Sequence, residues 1–160
     1  MRRLAALACL LLAACGFQLR GTASLPFETI HVPGATAGIA LEIKRSIQAG
    51  TTSRVVDDAK SAAALLQFTE ETRRKEILSL TSAGRVNEYR LFYRVGFRVS
   101  DGKGGDFLPP VTIQLFRDMT YDDSQVLAKE AEEQLLFRDM QSDMAQQVLR
   151  RIATAKPVKS

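Results

Sequence analysis

Cysteine is nearly absent, and what there is sits at one end: Cys9 and Cys15 are the only two among 160 residues. Nothing downstream can pair with them, so the body of the chain has no disulfide and its fold rests on packing. Histidine is scarcer. His31 stands alone, and one imidazole without a motif supplies neither a catalytic triad nor, without a cysteine cluster, a transition-metal site. It is expected to be a surface residue. No Gly-x-Ser-x-Gly elbow occurs. The loop Asp101-Gly102-Lys103-Gly104-Gly105-Asp106 lacks the strand-to-helix setting and the Gly-Lys-Ser/Thr ending of a phosphate loop, and predicts a hairpin turn instead. Paired Asp122 and Asp123 are explained by helix capping. These gaps weigh against an enzyme and imply no cofactor and no metal. After residue 15 no apolar run is long enough for a transmembrane helix.

What the chain does have begins at its first residues. Arg2 and Arg3 precede an apolar run from Leu4 to Leu12, a positive end and a short greasy core that together make a secretory signal. Leu12-Ala13-Ala14-Cys15-Gly16 then supplies two small residues directly before a cysteine, the pattern a lipoprotein signal peptidase reads. Residues 1–14 are therefore expected to be removed and Cys15 to carry the acyl chains; several chains on one cysteine hold far better than one. The competing reading is an ordinary signal peptide cut nearby, with Cys15 an incidental thiol. Gly16 rather than Asp at the second mature position predicts export to the outer membrane, on its periplasm-facing leaflet. Residues 15–26 read as a lipidated tether, 27–153 as a single domain and 154–160 as a frayed, proline-broken tail.

Removal of 14 residues from 160 leaves 146, enough for one real core. Loss of Arg2 and Arg3 lowers the basic count from 22 to 20, against 18 acidic residues. So slight an excess argues against nucleic acid as a partner.

Phe27 to Val32 predicts a first strand, stopped by Pro33-Gly34. Ile39, Ile43 and Ile47 recur at helical spacing, placing a helix over about Thr36 to Ala49 with Gly50 available as its cap. Arg54-Val55-Val56 is a short second strand, and residues 59–63 suit either a helix or a strand. From Ala64 to Val99 the period becomes two. Tyr89, Leu91, Tyr93, Val95, Phe97 and Val99 share one face, and Arg90, Arg94 and Arg98 the other. Kept from Arg85 to Val99, that alternation spans roughly 50 Å, so the sheet is expected to be elongated. Thr69 to Lys75 is a charged middle expected to project beyond the core. Pro109-Pro110 opens the next strand, through Val111, Ile113 and Leu115. Asp122-Asp123-Ser124 caps a long helix from Gln125 to about Ile152. Its stripe is Val126, Phe137, Met140, Met144, Val148 and Ile152, with Leu136 outside as a stray leucine. Glu130, Glu132 and Glu133 near its start and Arg150, Arg151 near its end match the helix dipole. Strand, helix, several antiparallel strands, helix is the order of a two-layer α+β sandwich with both helices on one face of the sheet.

The arginine row, with Phe92 interleaved, covers about 13 Å from first to last. Arg74, Lys75, Arg85, Arg117 and Lys129 extend it. It is either a solvated sheet face or a site where guanidinium forks bind phosphate.

Cys15-Gly16-Phe17-Gln18-Leu19-Arg20-Gly21, then Gly84-Arg85-Val86-Asn87-Glu88-Tyr89, then Phe116-Arg117, Asp122 and Leu127-Ala128-Lys129-Glu130 together resemble the LPS-assembly lipoprotein family LptE, in order and spacing across nearly the whole mature chain. The resemblance implies two helices on a four-stranded, mostly antiparallel sheet and a non-catalytic role. Such proteins lodge inside the outer-membrane barrel LptD in a one-to-one complex, plug it, aid its assembly, and contact lipopolysaccharide (LPS) as it passes to the outer leaflet. Lys129 is the LPS contact carried over by position. Some relatives have a basic residue just before the hairpin glycine where this chain has Ser82, which leaves Arg85 as the substitute. The candidate LPS-binding set is Lys129, Arg85, Arg90, Arg94, Arg98 and Arg117. The alternative class is a lipid or LPS carrier lipoprotein without a stable barrel partner, which needs a lipid-sized cavity between helices and sheet.

Overall fold

A strand that alternates apolar with polar residues buries one face only, and Val86–Ser100 does so: Leu91, Tyr93, Val95, Phe97 and Val99 are fully buried, while Arg90, Phe92, Arg94 and Arg98 opposite them are not. The computed structural model describes residues 24–156. The signal segment, Cys15, the tether up to Ala23 and the tail from residue 157 lie outside the described residues.

In chain order the elements are β1 (Thr29–His31), α1 (Gly38–Gly50), β2 (Arg54–Val56), β3 (Ala64–Leu80), β4 (Val86–Ser100), β5 (Asp106–Thr120) and α2 (Val126–Ala153), with 3-10 turns at Ala59–Ser61 and Asp123–Gln125. The sheet has five strands in the order β2-β1-β3-β4-β5 and is mixed: β1 runs parallel to β2 and β3, and β3-β4-β5 is antiparallel. An α+β sandwich with two helices on one face is what the structure holds, but the four-stranded, mostly antiparallel sheet is not. The additional strand is β2. It follows α1 in a βαβ crossover, which returns the chain to its starting end and leaves β2 parallel to β1.

Ile39, Ile43 and Ile47 of α1 and Met140, Met144, Val148 and Ile152 of α2 close over β4 in one core. Gly50 is the last residue of α1, and Thr51 closes it: its N–H (3.0 Å) and its hydroxyl (2.8 Å) both donate to the Ile47 carbonyl. Packing starts at Leu25, inside the stretch assigned to the tether, and reaches Ala155 beyond the helix, both buried. The charged stretch of β3 stays within the sheet. It pairs with β4 along its length, but β1 covers it only at Ala64 and Leu65, so the rest is an edge that its charges protect. Pro109-Pro110 lies inside β5, not at its start, at the interruption between Phe97↔Val111 and Val99↔Leu108 on an edge strand. Leu136 packs against the core, and the exposed leucines of α2 are Leu127 and Leu135. Val126, placed on that helix's stripe, is exposed as the first residue of α2. His31 is half-buried, its Nδ1 donating to the Val56 carbonyl (3.1 Å) across β1 and β2. Among the described residues no helix is long and apolar enough to cross a membrane.

Gly96 marks the tightest place in the sheet. Opposite it β3 shifts register between Phe68 and Glu70, and a Cβ on Gly96 would stand 2.5 Å from Thr69 Oγ1, 3.3 Å from Glu70 Cβ and 3.4 Å from Thr112 Oγ1. Gly96→Val should cost about 1–3 kcal/mol through overpacking, a fall in melting temperature of about 2–10 °C. A calorimetric scan with an unchanged midpoint would show that the strands can part there without cost.

Candidate functional site

The pleat of β4 sends Arg90, Phe92, Arg94 and Arg98 to the face away from the helices, where each arginine meets a carboxylate. Arg90 clamps Asp118 of β5 through two parallel bonds, Nε to Oδ1 at 2.7 Å and Nη2 to Oδ2 at 2.8 Å. Arg94 Nε lies 3.1 Å from Glu70 Oε2 on β3, and Arg98 Nη2 donates to Asp106. On β3 beside them Arg74 pairs with Glu76 at 3.0 Å. Arg74 also stands 5.5 Å above the Phe92 ring, and Arg90 stands 4.8 Å above Phe116. Cross-strand register produces this pattern, because Arg90 lies directly between Glu76 on one side and Asp118 on the other. The outer face is a lattice of neutralised pairs over two aromatic rings. Its arginines are not a run of free guanidinium groups.

The other candidate residues stand elsewhere. Arg117 pairs with Leu91 in the ladder and so faces the helices, where Nη2 donates to Asp143 of α2 at 2.6 Å. Lys129, in the first turn of α2, donates from Nζ to Thr120 Oγ1 (3.1 Å) and Glu132 Oε2 (2.8 Å), with its side chain only 15% exposed. Arg85 lies in the β3–β4 turn, where Gly84 takes a φ of 76° that favours glycine and Thr81 N–H donates to the Arg85 carbonyl (2.7 Å). Its charge reaches Asp122, at the entry to α2. Lys129 and Arg85 thus share the hairpin-tip end of the molecule, while Arg90, Arg94 and Arg98 run along the outer face. Exposed Ile77, Leu80, Val126 and Leu127 lie on the elements that meet at the tip.

Between β3 and α2 the structure adds a polar seam that residue spacing does not disclose. Arg73 lies 4.9 Å over the Tyr93 ring and 5.7 Å from that of Phe137, and donates to Gln141 Oε1 at 2.6 Å. Lys75 bonds Glu133 at 2.6 Å, which raises its pKa above the usual lysine value, and stands 4.9 Å over Tyr89. Tyr93 donates its hydroxyl to Glu71 Oε1 (2.8 Å); burial first, and that bond second, push its pKa well up. Period two places Arg73 and Lys75 on the face of Glu71 and Ile77, a readable signal. Which residues of α2 they meet depends on how the helix is laid across the sheet.

Three carboxyls titrate below their ordinary value. Asp118 is lowered by the Arg90 bond, Asp122 by the Ser124 N–H and hydroxyl, and Asp101 by the N–H groups of Lys103 and Gly105 in the β4–β5 turn. With folded pKa values under the unfolded value of about 3.9, their contribution to stability is present above about pH 4 and is lost as pH falls through the folded values. Urea midpoints should therefore be level near neutrality and fall below about pH 4. Asp118→Asn should make that acid slope shallower, and an unchanged slope would mean that the Arg90 clamp contributes nothing.

A protein-family model described as LptE, lipopolysaccharide-assembly, matches residues 27–152. The LPS-assembly lipoprotein LptE of Pectobacterium atrosepticum is 24% identical over 152 residues, 92% of this chain and 82% of that protein. Among solved structures, an uncharacterized lipoprotein B from Nitrosomonas europaea superposes with a TM-score of 0.74 at 38% identity, over 86% of this chain and 90% of that one. The rare lipoprotein B from Shewanella oneidensis gives a TM-score of 0.67 at 26% identity, over 79% and 92%.

Proposed function

The chain belongs to the LptE lipopolysaccharide-assembly family, and from that premise we propose that it is a non-catalytic outer-membrane lipoprotein that plugs the LptD barrel and contacts LPS in transit. In this reading Cys15 carries acyl chains in the periplasm-facing leaflet, and the folded domain sits one-to-one in the lumen and aids assembly of the barrel.

The observation that carries the reading is the exterior. A barrel lumen is lined with polar residues, and a domain that fills one needs a largely polar surface with modest charge of both signs. The outer sheet face has that character, with Arg90, Arg94 and Arg98 each matched to a carboxylate. Exposed ion pairs contribute little stability, about 0–1 kcal/mol each, which makes their number a property of the surface. The carrier alternative needs lipid-sized space between helices and sheet. Tyr93, Phe97, Met140, Met144 and Ile152, all with no exposed surface, fill that layer, which favours the plug.

For LPS the reading rests on Lys129 and Arg85. An ammonium has three donors; Thr120 and Glu132 take two of those on Lys129, so the side chain is held in place with one left for a phosphate oxygen. Arg90, Arg94, Arg98 and Arg117 contribute as secondary contacts, since an LPS phosphate must compete there with a carboxylate already in place.

Tagged at the C-terminus and recovered from detergent-solubilised outer membranes, the protein should bring down a single large β-barrel in equal amount, identified by mass as LptD. Recovery of bound lipid alone would overturn the plug. Lys129→Asp should retain the barrel and lower LPS capture about tenfold, as expected for one lost charge-assisted hydrogen bond; unchanged capture would remove Lys129 from the site.

A further inference from the structure

The basic residues fall into two groups. Nine are tied to carboxylates by ion pairs. Arg150 and Arg151, in the last turn of α2, are not among them, although all 18 acidic residues of the chain lie between Glu28 and Asp143, within the described residues. Both line a surface cleft of about 350 Å³ together with Val111, Thr112 and Ile113 of β5, Gln147 of α2 and Thr154 just past its end, with no acidic residue among its lining. The helix dipole accounts for two cations at a helix C-terminus. It does not account for the facing wall, which belongs to another element and sets two apolar residues, Val111 and Ile113, on either side of Thr112. Two neighbouring arginines beside Val111 and Ile113 suit a ligand with a phosphate at one end and hydrocarbon at the other.

The cleft also has a definite place in the molecule. α2 runs from the hairpin tip back toward the end of the sheet where the chain enters, and there Phe27 lies 5.6 Å from Phe107 of β5. Ten residues separate Cys15 from buried Leu25, a reach of at most about 35 Å when extended. We propose that the Arg150–Arg151 cleft seats the phosphate headgroup of an anionic phospholipid in the membrane leaflet from which the domain hangs. The placement beside a leaflet rests on the lipid-anchor reading of Cys15; the chemistry of the cleft does not.

The test uses the full mature chain with Cys15→Ser, so that acyl chains do not mask the effect, and measures co-flotation with phosphatidylcholine vesicles with and without phosphatidylglycerol. The protein should bind the anionic vesicles and not the zwitterionic ones. Arg150→Gln with Arg151→Gln should weaken binding about thirtyfold, each basic residue at a membrane surface contributing about fivefold. Arg138→Gln, on an exposed arginine in the middle of α2 that is in no ion pair, should leave binding within about twofold on the same scale. Equal binding by the double variant, or an equal loss with Arg138→Gln, would overturn the site. Arginine-dependent binding of inorganic phosphate or of LPS without binding to phosphatidylglycerol would overturn the choice of ligand. A Cys15 found unacylated by mass spectrometry in the native protein would defeat the anchor reading alone, since vesicle binding is read without it.

Discussion

One-sided burial of β4 is the constraint on which the rest of the structure depends. A strand of 15 residues spans about 50 Å, and its apolar face needs a cover of similar length. The 28-residue α2 gives about 42 Å. α1, at 13 residues, covers only the end where β1 and β2 join the sheet. Long antiparallel strands on one side of the molecule, a short βαβ unit at its entry and a single long returning helix follow from that requirement. Gly96 belongs to the same constraint, since three strands can stay closely packed beside the β3 bulge only where the middle one has no side chain.

The opposite face of β4 then has no core to join, and its arginines are satisfied sideways within the sheet. Asp118 on β5 and Glu70 on β3 meet Arg90 and Arg94 across the strands, and Phe116 lies beneath the Arg90 guanidinium and Phe92 beneath that of Arg74. On such a face an anion has to compete with the carboxylates already in place. Lys129 differs in kind. It is mostly covered, held by two neighbours and set where the hairpin tip meets the start of α2.

Much of this was legible in the residues. Period two over Tyr89 to Val99 gave the buried face of β4 without error, and Ile39, Ile43, Ile47, Met140, Met144, Val148 and Ile152 were identifiable as core from helical spacing. Arg54-Val55-Val56 was recognised as a strand, yet its place beside β1 depends on a crossover that no local pattern encodes. The parity of Arg90, Arg94 and Arg98 was readable; their neutralisation was not, because it depends on the register of β3 and β5 against β4. Arg117 was grouped with the outer arginines although register turns it toward α2. Leu136 lies outside the stripe by helical spacing, yet it packs against the core.

The distribution of charge along the long axis follows from the same topology. α2 begins at the hairpin tip and ends where the chain enters, so its acidic first half, with Glu130, Glu132 and Glu133, lies toward the tip, and Arg150 and Arg151 lie at the entry end. The dipole favours that order in any helix. Its consequence here depends on what surrounds each end. Toward the tip two of the three glutamates are engaged, Glu132 with Lys129 and Glu133 with Lys75, and hold those cations in position. At the entry end no carboxylate lines the cleft of Arg150 and Arg151. Positive charge is therefore paired at Lys129 and Lys75 and unpaired in the cleft of Arg150 and Arg151. That asymmetry comes at no cost to the core, since neither arginine is buried.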